Sequence, residues 1–141
     1  MPIEVIAKKL EQIKELLSEL ARLLKVSFND FQKDMVVIRA SERNFQLIVD
    51  LASDINTQIL VEQGEKTPDT YRQSFSDLGR VGVLENNLAK RLVVSAQVRN
   101  ILAHEYDFEE DYDKFYNAAK DLIPVYQEYA KRINLYLNRK K

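Results

Sequence analysis

Four side chains that can bind phosphate or move protons lie within the short segment 99–106. Arg99 supplies a guanidinium, Asn100 an amide, His104 an imidazole and Tyr106 a phenol, and His104 is the only histidine of the chain. Imidazole changes charge near neutral pH, and the C-terminal end of a helix favours its protonated form. His104 is therefore the candidate general acid or base, and Arg99 is the candidate anion-binding group.

The spacing of these residues allows both a shared site and ordinary structural roles. On an α-helix Asn100 and His104 share a face, whereas Arg99 and His104 diverge. The two would converge on one ligand only if the helix ended or loosened near Ala103. Otherwise His104 could simply cap the helix, and Arg99 could pair with a carboxylate of the acidic segment that follows.

Length and composition predict one all-helical globular domain over residues 1–141. The chain has only three glycines and three prolines, too few for an architecture with many hairpins. Its formal net charge is −1, so a general basic excess for nucleic-acid binding is absent. Because the chain lacks cysteine, disulfides, thiolate metal sites and a cysteine nucleophile are excluded.

The first 25 residues carry the clearest periodic pattern of the chain. Apolar residues follow a heptad spacing at Ile3, Ile6, Leu10, Ile13, Leu17, Leu20 and Leu24. This spacing predicts an N-terminal helix of about six turns, with charged residues on its other faces. The helix could pack on the domain itself or against a second copy of the chain.

The rest of the chain predicts an up-down bundle of five to six helices. We expect helices at roughly 27–37, 39–63, 70–78, 84–103 and 111–138. Gly64 is the expected stop of the long central helix, and Gly79 and Gly82 bracket a second break. Pro124 should kink or divide the last helix because proline lacks the N–H donor.

The sequence offers no signal for secretion, membrane insertion or metal binding. The N-terminal segment mixes charged residues among its apolar ones, and 18 apolar residues never occur in succession. The acidic run 107–113 lacks the glycine and the spacing of a calcium loop. We therefore expect a cytoplasmic protein with no membrane partner, no metal site and no cofactor.

The pattern Arg99-x4-His104-x-Tyr106 in a small all-α chain resembles the HEPN superfamily. The resemblance is closest to HepT-like toxins, which pair with a minimal nucleotidyltransferase antitoxin. It spans roughly residues 27–138 and includes further positions: Arg43, Gln46, Ile48, Asp54, Ile55, Gly64, Pro68, Tyr71, Phe75, Leu78, Gly82, Val83, Leu84, Asn100, Asp107, Leu122, Ile123 and Pro124.

The resemblance implies a metal-independent endoribonuclease toxin. It implies that Arg99 and His104 carry the cleavage of RNA, with Asn100 in support. It also implies that the nucleotidyltransferase antitoxin adenylylates Tyr106, although such a tyrosine is often a core residue. Asp54 resembles the acidic position of the family and could orient Arg99 or His104, or it could be an exposed residue, and Arg43 is equally ambiguous.

One histidine per chain leads to a further hypothesis about assembly. Metal-free RNA cleavage needs two proton transfers and stabilisation of a dianionic phosphorane. A two-fold homodimer could place His104 beside its own copy in a composite cleft, giving 2′,3′-cyclic phosphate products. Two alternatives stay open: a non-catalytic HEPN module that binds a nucleotidyltransferase or its nucleotide, and a structural helical protein that dimerises through its first helix.

Overall fold

The computed structural model describes residues 3–104 and 112–140, and all the regular structure within these ranges is helical. Its six helices are α1 (Ile3–Leu23), α2 (Phe28–Phe31), α3 (Met35–Glu62), α4 (Tyr71–Arg80), α5 (Asn86–His104) and α6 (Tyr112–Lys140). The predicted all-α class is confirmed. Among the described helices, none combines the length and the hydropathy that crossing a bilayer requires.

Helix α1 packs lengthwise on the bundle, between α3 and α6. The heptad residues from Ile6 to Leu24 are buried, so the apolar seam of α1 faces the core of its own chain. In the first half of the helix Lys9 pairs with Asp54 of α3, and just after its last residue the Leu24 carbonyl lies beside the Tyr116 hydroxyl of α6. The seam thus contributes to the domain core.

Side-chain caps fix where the helices begin. Ser27 accepts a hydrogen bond from the Asp30 amide at 3.2 Å, which starts α2. The Asp34 carboxylate accepts from two backbone amides and starts α3 at Met35, four positions before the predicted start. The predicted second helix therefore ends early: it spans only Phe28–Phe31, because the Asp34 cap begins a new helix.

The three glycines have different roles. Gly64 (φ 77°) follows the end of α3 as predicted, and Gly82 (φ 85°) forms the turn after α4, so both occupy the left-handed region that favours glycine. Gly79, however, does not mark a break, because it lies inside α4. A Cβ atom built at position 79 would lie 2.9 Å from the Cβ of Ala89, so glycine allows α4 and α5 to pack closely.

Helix α6 is one continuous element that includes Pro124. Of the two predicted outcomes, a kink or a division at Pro124, the continuous helix excludes the division. Pro124 is exposed, so water can satisfy the backbone carbonyl that the missing N–H leaves unbonded.

A buried polar network joins α6 to α3 and α4 in the core. The Tyr129 hydroxyl donates to the Asn56 side-chain oxygen at 2.7 Å, and the Asn56 amide donates to Ser74 at 3.1 Å. Separately, Tyr126 of α6 and Ser95 of α5 share a hydrogen bond of 2.7 Å. Complete burial raises the pKa of both tyrosines, so their phenols stay protonated and keep these bonds.

Candidate active site

The side chain of Arg99 is held at a meeting point of three helices. Its Nε atom donates to the Asp50 Oδ1 atom of α3 at 2.9 Å. Its guanidinium carbon lies 4.7 Å from the centre of the Tyr71 ring, at the start of α4. An ion pair at one edge and an aromatic ring at one face together fix the plane of the guanidinium.

The fixed guanidinium keeps its remaining hydrogen-bonding capacity. Its Nε atom bonds Asp50, and no described residue accepts a hydrogen bond from its two terminal nitrogens. The Arg99 side chain is 21% exposed, so the guanidinium lies at the edge of the core and is not sealed within it. Two parallel N–H groups on a planar fork match the oxygens of a phosphodiester.

Tyr71 is kept in its neutral form by its surroundings. Partial burial and the negative charge of Asp50 raise the pKa of its phenol, and the nearby Arg99 opposes this effect only in part. A phenol that stays protonated can donate a hydrogen bond while its ring supports the guanidinium. Tyr71 is therefore an uncharged aromatic side chain that packs beside Arg99.

The structure separates the two acidic residues of α3 by role. Asp50 contacts Arg99, whereas Asp54, one turn later, pairs with Lys9 of α1 at 3.3 Å. Sequence reasoning had singled out Asp54 and missed Asp50. Both carboxylates lie on the same face of α3, and nothing in their spacing shows which turn meets α5.

The other predicted supporting residues lie apart from the guanidinium contacts. Arg43 is exposed on α3, two turns before Asp50. Asn100 is half-buried on α5, and its side chain forms no hydrogen bond with another residue in the described ranges. Among the described residues, no cluster of three or more acidic, histidine or cysteine side chains could hold a metal ion.

Position 104 is the last described residue of α5, one residue beyond the predicted end of the helix. Five helical positions separate it from Arg99, which corresponds to a rotation of about 140° around the axis. Tyr106, Asp107 and the rest of the acidic segment lie outside the described residues. The helix itself therefore does not aim positions 99 and 104 in the same direction.

Helix α5 also presents apolar side chains to solvent. Val94 is 47% exposed and Ile101 is 38% exposed, although both belong to a helix whose opposite face is buried. In helical register, positions 94, 97, 101 and 104 form one stripe, which we call the α5 stripe. Beside Val94, a shallow cavity of about 560 Å³ between α5 and α6 extends to Pro124.

Comparison with known proteins identifies the family. The model of the family described as "Ribonuclease HepT-like" matches residues 7–133 of the chain. The chain belongs to the HepT-like ribonuclease family. It is 32% identical over 133 residues to the tRNA nuclease HepT of Aphanizomenon flos-aquae (strain 2012/KM1/D3), and the match covers 94% of this chain and 90% of that protein.

Solved structures of toxin–antitoxin complexes share the fold. A tri-AMPylated Shewanella oneidensis HEPN toxin in complex with an MNT antitoxin gives a TM-score of 0.85 at 21% identity, covering 96% of this chain and 99% of that one. The toxin-antitoxin MntA-HpeT mutant gives 0.83 at 19% identity, covering 94% and 98%. The HepT-like fold thus extends over nearly the whole chain.

Proposed function

We propose that this HepT-like protein is an endoribonuclease toxin that cleaves RNA with Arg99 and His104. The observation that carries the proposal is the Arg99 guanidinium, fixed by Asp50 and Tyr71 with its terminal nitrogens unoccupied among the described residues. Family membership supports ribonuclease activity, and the tRNA nuclease relative supports RNA, and tRNA in particular, as the substrate.

The proposed reaction is an internal phosphoryl transfer. The 2′-oxygen loses its proton to a base and attacks the adjacent phosphorus, and the bond from phosphorus to the 5′-oxygen breaks. The products are a 2′,3′-cyclic phosphate and a 5′-hydroxyl that receives a proton. His104 serves the proton transfers, Arg99 neutralises the extra charge on the phosphorane oxygens, and Asn100 supports the bound phosphate.

We propose that the working form is a homodimer that packs along the α5 stripe. The exposed apolar side chains of Val94 and Ile101 provide the contact, and position 104 continues the same stripe. We place the two-fold axis of this isologous contact along α5, so that each position of the stripe faces its own copy and the two copies of His104 lie close together. This arrangement supplies two imidazoles, which a single chain with one histidine lacks.

We propose that the cleavage needs no metal ion. The guanidinium supplies the positive charge at the phosphate, and imidazole supplies a base near neutral pH. Both roles that a divalent cation would fill are thus assigned to side chains of this protein. Cleavage by the purified protein should persist at full rate in excess EDTA, and loss of activity that Mg²⁺ restores would contradict this part of the proposal.

We propose a nucleotidyltransferase antitoxin as the protein partner, which adenylylates Tyr106 in the cytoplasm. Two neighbours in fold are toxins in complex with such partners, one of them AMPylated. Tyr106 lies two positions after His104, so an adenylate there would add bulk and negative charge close to the phosphate-binding arginine. Mass spectrometry after incubation with the partner and ATP should find adenylate on wild type and none on Tyr106→Phe.

RNA cleavage by purified variants tests the main proposal. Arg99→Ala and His104→Ala should each lower the cleavage rate by about 100-fold or more, since each removes a group that acts in the transition state. Arg80→Ala is the matched control because its guanidinium forms an exposed ion pair with Glu65, and it should cleave like wild type. Circular dichroism checks that all variants fold.

Equal cleavage by wild type and both site variants would contradict the catalytic assignment. Complete absence of RNA cleavage by the wild-type protein, together with retained binding of the nucleotidyltransferase, would favour the non-catalytic HEPN module instead.

A further inference from the structure

A groove between α1 and α6 lies apart from the Arg99 site. It encloses about 820 Å³ and has a floor of buried apolar side chains, among them Leu17 and Ala130. Lys9, which pairs with Asp54 near the site, lies on the flank of α1 that faces α3, whereas Lys14 and Lys25 line the flank that faces α6. The groove is thus a second surface, not an extension of the Arg99 contacts.

Positive charge dominates the rim of this groove. Lys14 and Arg22 of α1, with Lys25 in the turn that follows, face Lys131 of α6 across it, and no carboxylate is among the described residues that line it. Lys14 is partly neutralised by Glu11 at 3.3 Å, whereas Lys25 and Lys131 form no ion pair within the described part of the chain. In a chain of net charge −1, this local excess indicates a binding surface for a polyanion.

The shape and chemistry of the groove favour a nucleic-acid backbone over bases. Lys14 lies nine residues, or about 14 Å, before the end of α1 at Leu23, and Lys25 follows in the turn, so the rim is long enough for several phosphates. Ser18 and Asn134 offer hydrogen-bonding groups between the cations. None of the described lining residues is aromatic, so base stacking is not provided there.

We infer that the α1–α6 groove binds the phosphate backbone of RNA without regard to sequence. This inference rests on the proposed function, because it assigns the groove to the same RNA that is cut at Arg99. Lys14 and Lys9 are only about 7.5 Å apart along α1 but lie on opposite flanks, so an RNA chain that leaves the groove crosses the outer face of α1 to reach the Lys9–Asp54 pair and the site. The groove holds the substrate at a distance from the scissile bond.

A binding measurement with matched charge variants tests the groove. The probe is a 2′-O-methyl RNA strand of about 20 nucleotides, which lacks the attacking hydroxyl and stays intact, titrated between about 50 and 200 mM salt. The groove variant is Lys25→Gln with Lys131→Gln. The control is Lys33→Gln with Lys66→Gln, which removes the same charge from two exposed lysines outside the groove.

We expect the groove variant to raise the Kd about three- to tenfold. The slope of the logarithm of the binding constant against the logarithm of the salt concentration should decrease in magnitude by about 1.4, the value for two lost phosphate contacts on a single strand. The control should stay within about twofold of wild type. In cleavage, the groove variant should raise KM for long RNA and leave kcat unchanged, because Arg99 and His104 are intact.

Three other results would overturn the inference in distinguishable ways. Suppose that the groove variant binds RNA with the wild-type Kd and salt dependence while the wild-type protein cleaves RNA. The groove then does not bind RNA, and the proposed ribonuclease function is unaffected. If the variant keeps its affinity for RNA but no longer binds the nucleotidyltransferase antitoxin, the groove is a protein contact. If the groove and control variants weaken RNA binding equally, the effect is one of net charge alone.

Failure of the proposed function has a separate readout. If the wild-type protein cleaves no RNA but binds the probe through the groove, the RNA-binding role of the groove is supported and the ribonuclease activity is refuted.

Discussion

Asp50 is the side chain that determines how Arg99 faces a ligand. Its carboxylate binds Nε, and the two terminal nitrogens have no acceptor among the described residues. A carboxylate so close to the guanidinium also repels a phosphate. Asp50 would therefore help catalysis by orienting Arg99 and not by strengthening the binding of the phosphate. Asp50 is therefore a positioning residue for Arg99.

Asp50→Asn separates orientation from charge. The amide keeps the size of the side chain and an acceptor oxygen but loses the charge that holds the guanidinium, so we expect kcat to fall about tenfold. KM should stay equal or decrease, because a repulsive charge near the phosphate is removed. Asp54→Asn, the same change one turn later on α3, should leave both constants close to wild type. An Asp50→Asn enzyme with wild-type kcat would contradict the positioning role.

At this scale the sequence singles out Arg99, Asn100 and His104, because their types and spacing are local. It cannot single out Asp50, because the contact between Asp50 and Arg99 joins positions 49 residues apart. Asp50 and Asp54 have the same position on the face of α3, and only the packing of α3 against α5 distinguishes them. Tyr71 was part of the family resemblance, but its contact with the guanidinium also depends on tertiary packing.

At the scale of helices, local signals predict the number and type of elements better than their ends. The prediction extended the second helix through Val37 and began the long helix at Arg39, whereas the Asp34 cap starts the long helix at Met35. A capping residue between two helical segments was therefore missed. Gly79 misled the prediction at the end of α4, since glycine there serves close packing and not a turn.

Gly79→Ala tests the close packing of α4 on α5. Alanine has the higher helix propensity by about 1 kcal/mol, yet its Cβ would lie 2.9 Å from that of Ala89. We expect a net loss of about 1–2 kcal/mol in the free energy of unfolding, measured by urea denaturation. The same change in an Ala89→Gly background should cost less, because the opposing methyl group is gone. A Gly79→Ala protein that is more stable than wild type in both backgrounds would refute the steric explanation.

At the scale of the whole molecule, surface chemistry differs from side to side although the net charge is close to zero. The α1–α6 groove concentrates lysine and arginine, whereas the α5 stripe exposes the apolar side chains of Val94 and Ile101 and ends at position 104. Sequence periodicity places α1 and α6 as amphipathic helices, but the apolar residues of α5 lie all round the helix. Only the folded chain shows that α3, α4 and α6 cover part of α5 and leave Val94 and Ile101 exposed.

Val94→Asp tests whether the α5 stripe joins two copies of the chain. Two carboxylates at this position would be desolvated and would repel each other across a two-fold contact, so we expect dissociation to monomers, measured by sedimentation equilibrium. Val36→Asp is the matched control, since Val36 is 79% exposed on α3, away from the stripe, and this variant should stay dimeric. The monomeric Val94→Asp protein should keep its helical content but lose RNA cleavage, because a single His104 then has to serve both proton transfers. A folded monomer that cleaves RNA at the wild-type rate would show that each chain carries a complete site.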